Sequence, residues 1–371
     1  MKIAITGGHI SPALAVIDKL KKNSDIVFIG RKYAYEGDKS ESFEYKVCKK
    51  LAIPFYQINT GRLQRKFTRY TLASILKFPN GIIGAGMILK KARPDIVLTF
   101  GGYVGLPVSI VAFLLKIPVV IHEQTQKAGL TNTIISYFAD KVCISFDSSK
   151  IYFQGGKTVL TGNPVRKEIF EVKEKFTIPK GYKVLYITGG SGGSHFINDK
   201  ISKILPDLVK KYVVIHQTGN SSGFNDYEIL GNTKKSLGEL KNRYVLKKFI
   251  STDEIGWTYK SCDLVISRSG INTVCELLAL QKKCLLIPLS HGQKGEQLDN
   301  AMLIKNLGLG EFMEQKDVST SLLLTKIDEM MDKTMQVKKD GIKNYVIANA
   351  DDNIINVLKS IYEKKKIEKK N

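Results

Sequence analysis

The polar and apolar positions along the chain repeat one phrase. Lys2 to Gly8 (KIAITGG) is a short β-rich run ending in paired glycines, and SPALAVIDKLKK after it carries apolar residues at helical spacing. The order returns at Lys183, where KVLYITGGSGGS leads into HFINDKISKILPDLVKK. Further short apolar runs alternate with helical segments: DIVFIG, DIVLTFGG, PVVIHEQ and KVCIS in the first half, YVVIHQTG, DLVISRSG and CLLIPLS in the second. Such alternation predicts an α/β protein with two parallel sheets, each wound on both faces by helices. We place the first domain at 1–166, a linker at 167–181, the second domain at 182–345 and a C-terminal helix and basic tail at 346–371. The linker is charged and contains the turn Pro179-Lys180-Gly181, and the Lys-rich end from Glu363 to Asn371 reads as frayed surface.

A length of 371 residues agrees with two domains, and 43% hydrophobic content supplies two cores. The net charge of +22, from 57 basic residues against 35 acidic ones, attracts anions. Nucleic acid, anionic lipid and a nucleotide-sugar diphosphate all fit that field. Nucleic acid is disfavoured, because the lysines are scattered and no basic stripe, zinc-finger spacing or RNP-like motif is present. The five cysteines, Cys48, Cys143, Cys262, Cys275 and Cys284, form no C-x-x-C pair and read as reduced core residues of a cytoplasmic protein. Met1 runs directly into a strand pattern, and the most apolar stretch, Pro107 to Ile121, is interrupted by Lys116. Neither a signal peptide nor a membrane-spanning helix is expected.

Neither Gly loop matches the dinucleotide fingerprint G-x-G-x-x-G, so a nicotinamide enzyme is disfavoured. The loops do supply backbone N–H groups at helix starts, which suit an anion. No D-x-D tripeptide follows a strand and no His, Cys, Asp and Glu cluster has metal-ligand spacing, so no metal and no cofactor is expected. The histidines His9, His122, His195, His216 and His291 all follow predicted strands, at the sheet edge where open α/β folds bind ligands. His195 and His216 read as histidines satisfied by their neighbours. His9 differs, because it closes the Gly7-Gly8 turn.

In order along the chain stand TGGHISPALA (6–15), FGGYVGLP (100–107), HEQ (122–124), GLTN (129–132), TGNPVR (161–166), GGSGG (189–193), SRSGINTVCE (267–276) and PLSH with QLDNA ending at Ala301. This series resembles the MurG family of UDP-N-acetylglucosamine transferases. The resemblance implies the GT-B fold, two Rossmann-like domains facing a cleft, with the acceptor on the N-terminal domain and the UDP-sugar mainly on the C-terminal one. Matched motif by motif, it implies donor-binding positions at Thr6, Gly7, Gly8, Thr125, Arg166, Ser191, Ile250, Ile271, Asn272, Thr273, Val274, Cys275, Glu276 and Gln297. Ser191 and Arg166 suit a diphosphate that gains charge as it leaves, Glu276 suits the ribose hydroxyls, and the Ile250 main chain suits the edge of uracil. His9 is the candidate general base for the attacking hydroxyl, with Glu123 in reserve. The chain departs from the family pattern in a first loop with fewer glycines, in Thr125 where the family has Asn, and in GGSGGS where GGSQGA is frequent.

Leu72 to Leu89 is apolar and is flanked by Arg62, Arg65, Lys66 and Arg69 on one side and by Lys90, Lys91 and Arg93 on the other. It reads equally as a surface that dips into anionic lipid or as a core helix with solvated ends, and the resemblance favours the first. The expectation is therefore a peripheral enzyme at the cytoplasmic face of a bacterial membrane. It would move N-acetylglucosamine from UDP-N-acetylglucosamine, with inversion, to the 4-hydroxyl of a polyprenyl-diphosphate-linked muramyl peptide. The alternatives are a glycolipid synthase of the same fold, a UDP-sugar 2-epimerase, and a binding protein without turnover.

Overall fold

A computed structural model describes residues 1–8, 10–33, 41–61, 77–190, 192–219, 223–289 and 295–368. The chain divides into two compact units, Met1–Arg166 with Ile347–Asn371, and Lys167–Val346.

The first unit carries β1 (Lys2–Gly7), α1 (Ile10–Leu20), β2 (Asp25–Gly30), α2 (Phe43–Lys50), β3 (Phe55–Gln57), α3 (Phe78–Ala92), β4 (Ile96–Phe100), α4 (Gly102–Leu114), β5 (Val119–Glu123), α5 (Leu130–Ser136), β6 (Lys141–Ile144) and β7 (Thr158–Leu160). Its sheet runs β3-β2-β1-β4-β5-β6-β7, with every pairing parallel. Strands β1, β4 and β5 are buried along almost their whole length, which is why they read as unbroken apolar runs instead of alternating ones. Strand order reverses between β1 and β4, and the crevice beyond their carboxyl ends is the position where such sheets bind ligands.

The second unit carries β8 (Val184–Thr188), α6 (His195–Lys211), β9 (Val213–Gln217), α7 (Asp226–Ser236), β10 (Tyr244–Lys247), α8 (Ile255–Ser261), β11 (Leu264–Ser267), α9 (Ile271–Leu280), β12 (Cys284–Leu286), α10 (Glu296–Asn306), β13 (Gly310–Phe312), α11 (Thr320–Asp332) and α12 (Lys339–Lys343). Its sheet, β10-β9-β8-β11-β12-β13, is again parallel, with the reversal between β8 and β11. The two phrases of the sequence, β1-loop-α1 and β8-loop-α6, therefore occupy equivalent places.

Two segments differ from the sequence expectation. The stretch 167–181 is no free linker, because it packs on α8. Gly256 lies so close to the carbonyls of Glu168 and Glu171 that a Cβ would meet them at 2.6 and 2.2 Å, and the Trp257 indole N–H donates to the Phe176 carbonyl at 3.1 Å. The C-terminal tail is not frayed as far as Glu368, where α13 (Ala350–Glu368) ends. This helix returns to the first unit and lies against α1, burying Ile354, Ile355 and Leu358 beside Val16, Ile17 and Leu20. Three such side chains contribute about 1.5–3 kcal/mol each as an upper estimate. The half-exposed pairs from Lys19 to Asp351 (3.0 Å) and Asp352 (2.6 Å) add well under about 1 kcal/mol each.

Candidate functional site

At the carboxyl edge of the first sheet, three loops lock together. The Gly8 N–H donates to the Gly101 carbonyl at 3.1 Å, and a Cβ on Gly8 would sit 3.2 Å from the Gly102 Cα. The approach is tight for any side chain at Gly8, and Gly101 and Gly102 both have positive φ, which favours glycine there. His9 follows directly and lies outside the described residues. Thr6 is fully buried in β1, so its side chain belongs to the core and does not reach a ligand.

The third loop is organised by Glu123, which ends β5 and is 2% exposed. Its Oε1 accepts from the Thr125 N–H at 2.9 Å and the Thr125 hydroxyl at 2.7 Å. Its Oε2 accepts from the Gly129 N–H and from Asn132 Nδ2, both at 2.9 Å. The Thr125 hydroxyl has one proton to share between Glu123 Oε1 and the Lys127 carbonyl, so the carboxylate takes three fixed N–H donors and at most one hydroxyl. Glu123 is thus built to hold the loop, which sets it apart from the free carboxylate expected of a reserve base. Thr125 is corrected by the same contacts, because its hydroxyl points at Glu123 and the Lys127 carbonyl (2.8 Å). His122 is core as well, with Nε2 3.0 Å from the Gly162 carbonyl. Arg166 closes this unit, half-buried.

In the second unit the corresponding edge gathers the C-terminal ends of β8, β9 and β11 with the start of α9. Ser191 lies outside the described residues, but its loop is anchored on both sides. The Gly190 N–H donates to Thr188 Oγ1 at 3.1 Å, and the Gly193 N–H donates to the Gly190 carbonyl at 3.1 Å. Ser194 caps α6 by accepting from the Ile197 N–H. Behind the loop, His216 is buried between the Tyr244 hydroxyl and Asn198 Oδ1, both at 3.0 Å, and burial pushes its pKa down to about 3 against a raising influence from Asp226. His195 places Nδ1 2.7 Å from Asp226 and stacks on Phe224.

Glu276, 7% exposed, accepts from the Tyr259 hydroxyl at 2.8 Å. It is a buried, oriented carboxylate and not a solvated helix charge. Of its neighbours in the motif, Asn272 and Thr273 are half-buried, whereas Ile271, Val274 and Cys275 turn into the core, so these three cannot contact a ligand through their side chains. Gln297 binds protein on both ends. Its Oε1 accepts from the Leu289 N–H at 3.0 Å and its carbonyl accepts from the Ser269 hydroxyl at 2.7 Å, which draws α10 up to the SRSG turn. The Ile250 N–H already donates to Gln217 Oε1 at 2.9 Å, and what its main chain retains for the edge of a base is the carbonyl.

Sequence reasoning missed Gln217 and Arg268. Arg268 is buried under the loop, and its guanidinium donates to Ser194 Oγ (3.1 Å), the Ile287 carbonyl (3.0 Å) and Gln315 Oε1 (2.8 Å), while burial lowers its pKa to about 10. The available signal was an Arg separated by Ser267 alone from the apolar run Leu264-Val265-Ile266. Among the described residues no three His, Cys, Asp or Glu side chains are grouped to hold a metal ion.

The glycosyltransferase family 28 N-terminal domain matches residues 6–144 and the family's C-terminal domain matches residues 184–357. The UDP-N-acetylglucosamine–N-acetylmuramyl-(pentapeptide) pyrophosphoryl-undecaprenol N-acetylglucosamine transferase of Clostridium perfringens strain SM101 is 36% identical over 368 residues, covering 96% of this chain and 98% of its own length. The chain belongs to the MurG family, within glycosyltransferase family 28. The Clostridium tetani relative with the same name is 34% identical over 374 residues, 98% of this chain and 99% of that one. Among solved structures, Acinetobacter baumannii MurG superposes with a TM-score of 0.65 at 22% identity over 97% of this chain and 99% of that one. A UDP-GlcNAc 2-epimerase from Neisseria meningitidis superposes with a TM-score of 0.62 at 16% identity, over 97% of this chain and 100% of the other. At those identities the superpositions speak for the fold alone, two Rossmann-like domains of the GT-B kind. The relatives above 30% identity place the chain among the transferases of this fold and not among the epimerases. It is a family 28 glycosyltransferase.

Proposed function

We propose that the chain transfers N-acetylglucosamine, with inversion, from UDP-N-acetylglucosamine to the 4-hydroxyl of a polyprenyl-diphosphate-linked muramyl peptide, the step to a disaccharide lipid in peptidoglycan synthesis. The observation that carries this reading is the full-length likeness to relatives named for that transfer, together with a second unit that has a Gly-loop, a capped helix and a buried Glu276 at its switch point. In this reading Glu276 binds the ribose, the loop around Ser191 receives the diphosphate, and His9 takes the proton of the acceptor hydroxyl. The acceptor test is direct. Label from the nucleotide-sugar should move to the muramyl lipid and not to diacylglycerol, and transfer to diacylglycerol alone would favour the glycolipid-synthase reading.

Glu276→Ala is expected to weaken UDP-sugar binding by about 1.5–3 kcal/mol, the worth of charge-assisted hydrogen bonds. Because the variant also strips Tyr259 of its acceptor, Tyr259→Phe is the control and should lower affinity much less. Unchanged UDP affinity in Glu276→Ala by titration would remove Glu276 from the ribose.

We further infer that the protein works as a peripheral enzyme at the cytoplasmic face of the membrane, held there by the first unit. Among the described residues no helix is long and apolar enough to cross a membrane. Helix α3 buries Gly81, Ala85, Leu89 and Ala92, so it is partly a core helix. Its other face leaves Ile83 61% and Met87 64% exposed, next to Lys90 and Lys91 in the last turn. The neighbouring α4 exposes Phe113 and Leu114 at its end, beside Lys116. Residues 62–76 of the flanked stretch lie outside the described residues. Ile82 and Ile88 pack against the core, so substituting them would disturb the fold. Ile83→Ser with Met87→Ser is therefore expected to reduce binding to anionic liposomes several-fold and to leave circular dichroism and UDP affinity unchanged. Retained liposome binding would assign the exposed residues another role, and added salt should weaken the wild-type binding.

A further inference from the structure

We propose that Gln217 is a positioning residue of the donor site, tying the backbone that meets the base to the loop that meets the diphosphate. The proposal rests on the reading of the second unit as the UDP-sugar site. Gln217 ends β9, pairs in register with Thr188 of β8 and Lys247 of β10, and is 8% exposed. Its amide bonds in three directions. Oε1 accepts from the Ile250 N–H at 2.9 Å, and Nε2 donates to the Gly190 carbonyl and to Thr188 Oγ1, each at 3.2 Å. The amide cannot be turned over. The Ile250 N–H only donates and the Gly190 carbonyl only accepts, so the reversed group would face donor with donor and acceptor with acceptor.

The loop geometry depends on these bonds. Gly190 has φ +83°, a left-handed backbone, and is held there from both sides, its N–H on Thr188 Oγ1 and its carbonyl on Gly193 N–H and Gln217. A free carbonyl at an anion-binding loop would repel phosphate oxygens. Here its lone pairs are spent on the protein. Both amide protons of Gln217 are also spent, so it acts through Ile250 and Gly190 and does not itself contact the ligand. One buried side chain thus fixes the distance between two contacts of the same nucleotide, which lowers the ordering cost of binding both ends at once.

The test is titration of the full chain with UDP and with uridine, using wild type, Gln217→Glu and Gln217→Leu, alongside kcat and KM for the nucleotide-sugar. Gln217→Glu matches the native side chain in shape and keeps the acceptor for Ile250, but loses both donors and sets an oxygen against the Gly190 carbonyl. We expect UDP affinity to fall by roughly tenfold or more, about the loss of one or two hydrogen bonds, while uridine affinity changes by less than about threefold. Gln217→Leu frees the Ile250 N–H as well, so both affinities should fall, UDP more than uridine. If folded variants keep the wild-type ratio of UDP to uridine affinity within about twofold, Gln217 only supports the sheet and the proposal fails. A wild-type protein that binds no UDP would overturn the donor-site reading itself, and this inference with it.

Discussion

Replacing His9 with Ala is expected to cut turnover by roughly 10²–10⁴-fold, the usual contribution of a general base, and to leave UDP affinity nearly unchanged. The residues on either side of His9 are fixed. Gly8 is bonded to Gly101 and packed on Gly102, and Ile10 begins α1, so the described residues on either side of position 9 lie at the carboxyl edge of the switch-point strand. The competing carboxylate is already engaged, because Glu123 holds the N–H groups of Thr125, Gly129 and Asn132. A histidine base must be neutral to act, so the wild-type rate should fall towards acid pH as the imidazole protonates. That acid limb should disappear in the variant. A limb that persists in His9→Ala with near-normal turnover would place the base elsewhere. A parallel loss of UDP affinity and thermal stability would make His9 a support of the loop.

Removing the Glu123 carboxylate should have the largest effect on stability. Glu123→Ala is expected to destabilise the first unit by about 3–5 kcal/mol, because the N–H donors of Thr125, Gly129 and Asn132 lose their acceptor at about 1–3 kcal/mol per buried orphan, while the Thr125 hydroxyl keeps the Lys127 carbonyl. Glu123→Gln should recover only part of that. With its NH₂ at the Oε2 position the amide meets two donors, the Gly129 N–H and Asn132 Nδ2, and at the Oε1 position it still opposes the Thr125 N–H. Denaturant unfolding of both variants measures this. A Glu123→Gln protein as stable as wild type but without turnover would return Glu123 to the chemistry.

The parallel sheets were legible in the sequence because their buried strands are continuous apolar runs, and the two β-loop-α phrases marked both switch points. The family resemblance supplied Glu276, Ile250 and Gln297 as candidates. Which atoms they have free was not legible, since that depends on partners distant in sequence. Gln217 reaches Thr188, Gly190 and Ile250, which lie 29, 27 and 33 residues away, and nothing local in YVVIHQTG marks it as a hub. The apolar stripe of α13 was present in the sequence, but periodicity cannot say on which unit it docks. In α3, Ile82, Ile83, Met87 and Ile88 are equally apolar, and only the packing of Gly81, Ala85 and Leu89 shows which pair faces out. The polar contents of a loop misled in the opposite way. Thr125 was read as a ligand contact because the motif places it there, whereas a hydroxyl two residues from a buried carboxylate is satisfied locally.

The central claim, transfer of the sugar to a lipid-linked muramyl acceptor, is tested most directly by incubating the purified full-length protein with UDP-[¹⁴C]N-acetylglucosamine and that acceptor, then separating lipid from nucleotide. The account predicts labelled disaccharide lipid and an equal amount of UDP, both formed only when the acceptor is present. Label that stays in the nucleotide-sugar, or that appears there as the 2-epimer without any acceptor, would contradict it.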